Sequence, residues 1–223
     1  TFIGVNYYDG QGFMVPKKLG VKSAKELDGA SVCIQTGTTT ELNLAEFFAG
    51  NKMKYNPVPI ETNAEAQELY KAGRCDVYTT DASGLYATKM SFDNPDAHAV
   101  LPEIVSKEPL GPVVRHGDDQ WADIVSWVLR AMMAAEEKGI TSKNVKKLAS
   151  QDNKDKEINR LLGKDPLQGI SKLGLSADWA VNVISQVGNY AESFERNLYP
   201  LTIVRGMNAL YKDGGLHYIP PIK

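Results

Sequence analysis

From residue 12 to about residue 115 the chain alternates short apolar runs with amphipathic stretches. Gly12-Phe13-Met14-Val15, closed by Pro16, reads as a strand. Ser31 to Gln35, Tyr55 to Ile60, Asp76 to Thr80 and Ala99 to Leu101 read as further strands. Between them, Glu41 to Ala49 and Ala64 to Ala72 carry helical spacing, and Gly84 to Met90 is predicted as a short helix. Gly29, Gly50, Gly73 and the Asn94-Pro95 pair fall where turns are needed. Such alternation predicts an α/β arrangement, a mostly parallel sheet covered on both faces by helices.

Past residue 118 the pattern changes. Trp121, Ile124, Val125, Val128, Leu129, Met132 and Met133 recur at spacings of three and four, predicting a long amphipathic helix between Asp118-Asp119 and Gly139. This stripe is read as a packing face rather than a cofactor site. Residues 141–166, rich in Lys, Asp and Asn, are expected as exposed helix and loop. Trp179 to Val187 and Tyr199 to Tyr211 are further predicted helices. The region offers little sheet of its own, so it is expected to complete a domain whose strands come from elsewhere.

Composition narrows the function. The 223 residues are 43% hydrophobic and 23% charged, an ordinary globular balance. Twenty-five basic against 27 acidic residues give a net charge of -2, which argues against a dedicated nucleic-acid binder. No apolar run approaches the roughly 20 residues of a membrane-spanning helix. The chain starts at Thr1 without a charged-then-apolar leader, so any targeting segment is expected to have been cleaved or left out. Cys33 and Cys75 are the only cysteines, too few for a zinc site with scattered histidines; they fit either one disulfide or two buried thiols. No nucleophile elbow, Walker loop, His-Glu-x-x-His or Gly-x-Gly-x-x-Gly occurs. His98, His116 and His217 lack supporting partners in sequence, and Asp118-Asp119 and Glu136-Glu137 read as helix ends or solvated faces. A binding module is favoured over an enzyme, with no cofactor or metal expected.

Two segments stand at the ends of predicted strands, where open α/β sheets bind ligands. In Gln35-Thr36-Gly37-Thr38-Thr39-Thr40-Glu41, Thr38 and Glu41 have capping-box spacing, leaving the amides of Thr39 and Thr40 to point outward at the positive end of a helix dipole. Gly37 permits the tight turn. Such a terminus suits a carboxylate or phosphate. In Thr79-Thr80-Asp81-Ala82-Ser83, Asp81 is a carboxylate at the sheet's lip. In a 2-1-3 winding the two strands are neighbours, so Thr38 and Asp81 would flank one crevice, complementary to a zwitterion. Taken singly, each segment reads first as an ordinary helix cap, with Asp81 opening the helix through Leu85 and Tyr86; their convergence at one sheet edge favours the site.

The chain resembles the periplasmic solute-binding proteins of ABC transporters for polar amino acids, in the general L-amino-acid-binding branch. The stretches that carry the resemblance include Tyr7 to Val15, Leu27 to Cys33, Gln35 to Glu41, Ala72 to Val77, Thr80 to Ser83, Ser106 to Pro112, Gln186 to Tyr190 and Gly214 to Leu216. The resemblance implies two α/β lobes joined by extended crossovers. Residues 1–13 would end the first lobe and cross over, and 14–110 would form a complete, doubly wound second lobe. Residues 111–223 would return and build a partial, mainly helical remainder of the first. It implies Thr38 and Thr39 at a ligand carboxylate through hydroxyl and amide, and Asp81 at the α-ammonium. Gln35 and Thr36 are implied as lesser contacts, beside Gly37 and Thr40. An N-terminal part of the first lobe, with its ligand-clamping arginine, has no counterpart here, and that role passes to none of Arg74, Arg115, Arg130 or Arg205.

The implied function is that of a periplasmic receptor that closes by hinge motion over polar L-amino acids and delivers them to an ABC permease in the membrane. An exported setting also favours a Cys33–Cys75 bridge, free buried thiols being the alternative. The rivals are an enzyme on the same scaffold, of the arogenate or prephenate dehydratase kind, and a ligand-sensing module.

Overall fold

In the computed structural model, residues 1–165 and 170–222 are described. The predicted polar stretch over 141–166 therefore ends on a residue outside the described ones. The chain divides into two compact units: residues 8–109, and residues 1–7 with 110–223.

The first of these takes in all but Tyr7 of strand β1 (Tyr7–Asp9) and continues through β2 (Gln11–Pro16), β3 (Ser31–Gln35), helix α1 (Thr39–Gly50), β4 (Asn56–Ile60) and α2 (Asn63–Lys71). Then follow β5 (Val77–Asp81), α3 (Ala82–Met90), β6 (His98–Val100) and β7 (Glu108–Leu110). β4, β3, β5, β2 and β6 lie in that order in one sheet, and β1 pairs with β7 apart from it. β3 is parallel to both β4 and β5, with Val32 beside Val77 and Cys33 beside Tyr78. The 2-1-3 neighbourhood expected for these strands holds.

β2 corrects the expectation of a mostly parallel sheet. It inserts antiparallel between β5 and β6, which makes the sheet mixed. An apolar run of period two records which residues face inward, not which way a strand points. Strands β1 and β7, three residues each, were not foreseen. β4 lies at an edge, where Pro57 and Pro59 deny a would-be partner two N–H groups, a placement suited to proline.

The sheet is covered on both sides. Phe13, Val15, Val32, Ile34 and Val77 face Leu44 and Phe48 of α1. Met14, Cys33 and Tyr78 face Ala66 and Tyr70 of α2 and Leu85 of α3. The chain thus leaves β3 through a helix on one face and enters β5 from a helix on the other. That reversal puts a topological switch point between these two strands. On the second face Cys33 and Cys75 are joined by a disulfide, their Cα atoms 5.6 Å apart. Cys75 sits two residues ahead of β5 rather than on it.

The other unit is helical: α4 (Asp119–Glu137), α5 (Val145–Ser150), α6 (Lys156–Leu161), α7 (Trp179–Val187) and α8 (Tyr190–Leu198). Its core is formed by Ala131, Ala135, Ile140, Val145, Ala180 and Ile184 with their neighbours. The helix predicted over residues 199–211 is absent. Pro200 and Gly206 break that stretch, Thr202 takes a left-handed φ of 64°, and only short 3-10 turns form. The helix lies just upstream as α8, started by a capping box in which Asn189 and Glu192 exchange hydrogen bonds. Two of the histidines are packing residues. His98 Nδ1 lies 2.8 Å from the Tyr70 hydroxyl, and His217 Nε2 lies 3.1 Å from that of Tyr190. None of the described helices is long and apolar enough to cross a membrane.

The bridge ties residues separated by 42 positions, so replacing both cysteines by serine is expected to lower stability by about 3–4 kcal/mol through the freed unfolded chain. Urea unfolding checks this; an unchanged midpoint contradicts it.

Candidate functional site

The candidate site is built on the carboxyl edge of the sheet at the switch point, within residues 8–109. The chain turns after Gln35, with the Thr36 N–H still donating to the Ile60 carbonyl at 3.2 Å. β3 and β5 run parallel and pair at Val32–Val77 and Cys33–Tyr78, so the two predicted segments leave neighbouring strands at the same edge of the sheet.

At the first segment, Gly37 turns the chain with φ of +70°, a conformation side-chain-bearing residues rarely adopt. Thr38 is the N-cap of α1: its hydroxyl accepts from the Glu41 N–H at 3.4 Å and donates to the Gln35 carbonyl at 2.8 Å. The hydroxyl is thus held within the turn. Glu41 reaches back as predicted but takes the N–H of Gly37, at 2.8 Å, rather than that of Thr38. Thr39 and Thr40, the first residues of the helix, have N–H groups with no acceptor inside it. Thr36, Gly37 and Thr39 are exposed, and Thr38 and Thr40 half-buried. Gln35 is half-buried and its side-chain amide is bound to the Glu61 carbonyl at 2.9 Å, which engages it in the fold.

At the second segment the cap reading of Asp81 fails. Asp81 precedes α3, yet its carboxylate makes no capping hydrogen bond. The helix takes its acceptor from Asp9 of β1, whose carboxylate receives the Ser83 N–H at 3.3 Å, the Ser83 hydroxyl, and the Gly10 N–H at 2.8 Å. Gly10 in turn accepts from the Ala82 N–H at 2.8 Å. A side chain at Gly10 would press within 2.6 Å of the Ser106 carbonyl, so glycine is needed there. Asp81 is half-buried, and burial together with the nearby charges of Asp9 and Glu108 pushes its carboxyl above the usual range. A carboxylate crowded by like charges gains from a cation. Among the described residues no group of His, Cys, Asp and Glu is gathered as a metal cage.

The two segments are joined by Gln11, which lies opposite Asp81 in the β2–β5 ladder. Its Nε2 donates to the Thr40 carbonyl at 3.1 Å and to Thr79 Oγ1 at 3.0 Å. Sequence reasoning missed Asp9, Gln11, Ser83 and Glu108. Asp9-Gly10-Gln11-Gly12 lay in plain view as polar residues between glycines at a strand start, but no spacing rule links residue 11 to residue 81.

Open helix-start amides and an acid without a capping role at the switch point of an α/β sheet are the arrangement of a small-molecule binding module. The chain is 57% identical over 227 residues to the general L-amino acid-binding periplasmic protein AapJ of Rhizobium johnstonii, covering all of this chain and 66% of that protein. It is 54% identical over 225 residues to the glutamate/glutamine/aspartate/asparagine-binding protein BztA of Rhodobacter capsulatus, again 100% against 66%. A solved structure of an ABC transporter periplasmic binding protein from Brucella ovis with glutathione bound superposes with a TM-score of 0.92 at 53% identity, covering all of this chain and 70% of that one. No protein-family model matches. The chain belongs to the periplasmic amino-acid-binding proteins of ABC transporters, and spans about two thirds of the length of the curated relatives it matches.

Asp81 binds its proton more tightly folded than unfolded. Stability therefore falls as pH rises from the usual carboxylate range through the raised folded value, and the penalty is complete above it. Asp81→Asn is accordingly expected to raise the melting temperature of the unliganded protein at pH 7 and to leave it little changed at pH 3. Thermal scans at both pH values check this; a lower melting temperature at pH 7 contradicts it.

Proposed function

We propose that this protein is a receptor for L-amino acids in the periplasm that hands its ligand to an ABC permease, and not a catalyst. The amides of Thr39 and Thr40 take the ligand's α-carboxylate at the positive end of α1, beside the turn of Thr36, Gly37 and Thr38. Asp81 takes the α-ammonium, and its neighbours Asp9 and Glu108 reinforce the field that favours a cation.

The observation that carries this reading is the release of Asp81 from capping: Asp9 serves α3 instead, leaving a crowded carboxylate at the end of the strand beside the one that α1 follows. Breadth across side chains follows if the head group supplies most of the contacts. The glutathione bound to the Brucella relative fits that view, because its γ-glutamyl end carries the same α-carboxylate and α-ammonium pair. The names of the curated relatives, one general and one for four polar amino acids, support it further.

Calorimetry with a panel of L-amino acids and glutathione tests the proposal on the intact protein. Asp81→Ala is expected to weaken binding by about 2–4 kcal/mol, as for removing one partner of a buried charge pair. Thr39→Ala, which keeps the amide, is expected to cost less than about 1 kcal/mol. Unchanged affinity in Asp81→Ala would overturn the assignment.

A further inference from the structure

We infer that Gln11 is a positioning residue of the amino-acid site, its side-chain amide fixing the first turn of α1 against β5 and so setting the separation between the anion-binding amides and Asp81. The inference rests on the site proposed above and adds a residue to it.

Gln11 is 1% exposed, a polar side chain within the sheet's apolar layer. By strand alternation it shares the α1 side of the sheet with Phe13 and Val15, and Asp81 shares that side with Val77 and Thr79. Directly opposed residues of an antiparallel pair have Cβ atoms about 4.5–5.5 Å apart, so Gln11 stands next to Asp81 on one flank. On the other, its Nε2 holds the carbonyl of Thr40. One side chain thus spans both poles of the site.

The fold gains little from this arrangement. Gln11 Oε1 is buried and has no hydrogen-bond partner, an uncompensated acceptor. Both groups that Nε2 serves are satisfied without it. The Thr79 hydroxyl donates to the Gly12 carbonyl at 2.7 Å, and the Thr40 carbonyl, in the first turn of α1, accepts the helix's own i→i+4 bond. The position would suit an apolar side chain of equal length at least as well. The amide instead supplies a lateral tie at the start of α1, whose first N–H groups have no acceptor within the helix. With Nε2 bonded to both the Thr40 carbonyl and Thr79 Oγ1, the first turn is tied to β5 through two hydrogen bonds, which sets where those groups stand relative to Asp81.

Gln11→Met in the full chain keeps the volume and removes both donors. Its unliganded melting temperature is expected to equal or exceed that of the wild type, while its Kd for L-glutamine and L-glutamate rises at least tenfold. Hydrogen exchange at the amides of residues 39–41 is expected to quicken severalfold, with β3 and β5 unchanged. A misfolded or markedly less stable variant would show that the fold itself needs the amide, and would overturn the inference, as would unchanged affinity or unchanged exchange in the first turn. If the wild type bound neither amino acid, the proposed function would fall, and the exchange measurement would still decide the role of Gln11.

Discussion

A helix that begins where a strand ends must leave its first N–H groups without helical partners, and the protein's chemistry follows from how it disposes of them. At the switch point it does so in two opposite ways. α1 is closed by Thr38 and Glu41 from its own turn, which leaves the amides of Thr39 and Thr40 at an open, positive end. α3 is closed by Asp9 from a different strand, which leaves the acid at its own start uncommitted. One edge of one sheet therefore presents surplus donors beside a surplus negative charge.

Such an edge is costly to the unliganded protein. Asp81 is desolvated in the company of Asp9 and Glu108, and Gln11 keeps an acceptor unsatisfied beneath them. The stability lost here is supplied elsewhere in the same unit, by two apolar layers that enclose the sheet and by the Cys33–Cys75 bridge. Local conflict against a consistent scaffold is the pattern expected where a protein meets its ligand. In the function proposed above, a ligand ammonium would relieve the first of these conflicts by answering the crowded acids.

Much of the frame was legible in the sequence, because residues buried on one face repeat at two or between three and four whatever their surroundings. Hence β3, β5, α4 and α7 fall close to their predicted places. Direction is not written in such a repeat, so the antiparallel course of β2 was invisible, and with it the pairing of Gln11 with Asp81 across 70 positions. Asp9 was hidden for the same reason: a cap drawn from a distant strand leaves no local spacing. In the helical unit, α8 and its Asn189–Glu192 capping box were overlooked, whereas the apolar residues over 199–211 imitated a helix that Pro200 and Gly206 forbid. Thr38 and Asp81 were found because each lies within a few residues of a strand end. That one caps its helix and the other does not is settled by tertiary structure.

The account stands on two poles that act together on one ligand head group. Its most direct test compares L-glutamine with the two analogues that lack either the α-amino or the α-carboxyl group, by calorimetry on the intact protein. Each analogue is expected to bind at least a hundredfold more weakly than L-glutamine, since each leaves one pole desolvated and unpaired. An analogue without the amino group that binds as tightly as the parent would contradict the account.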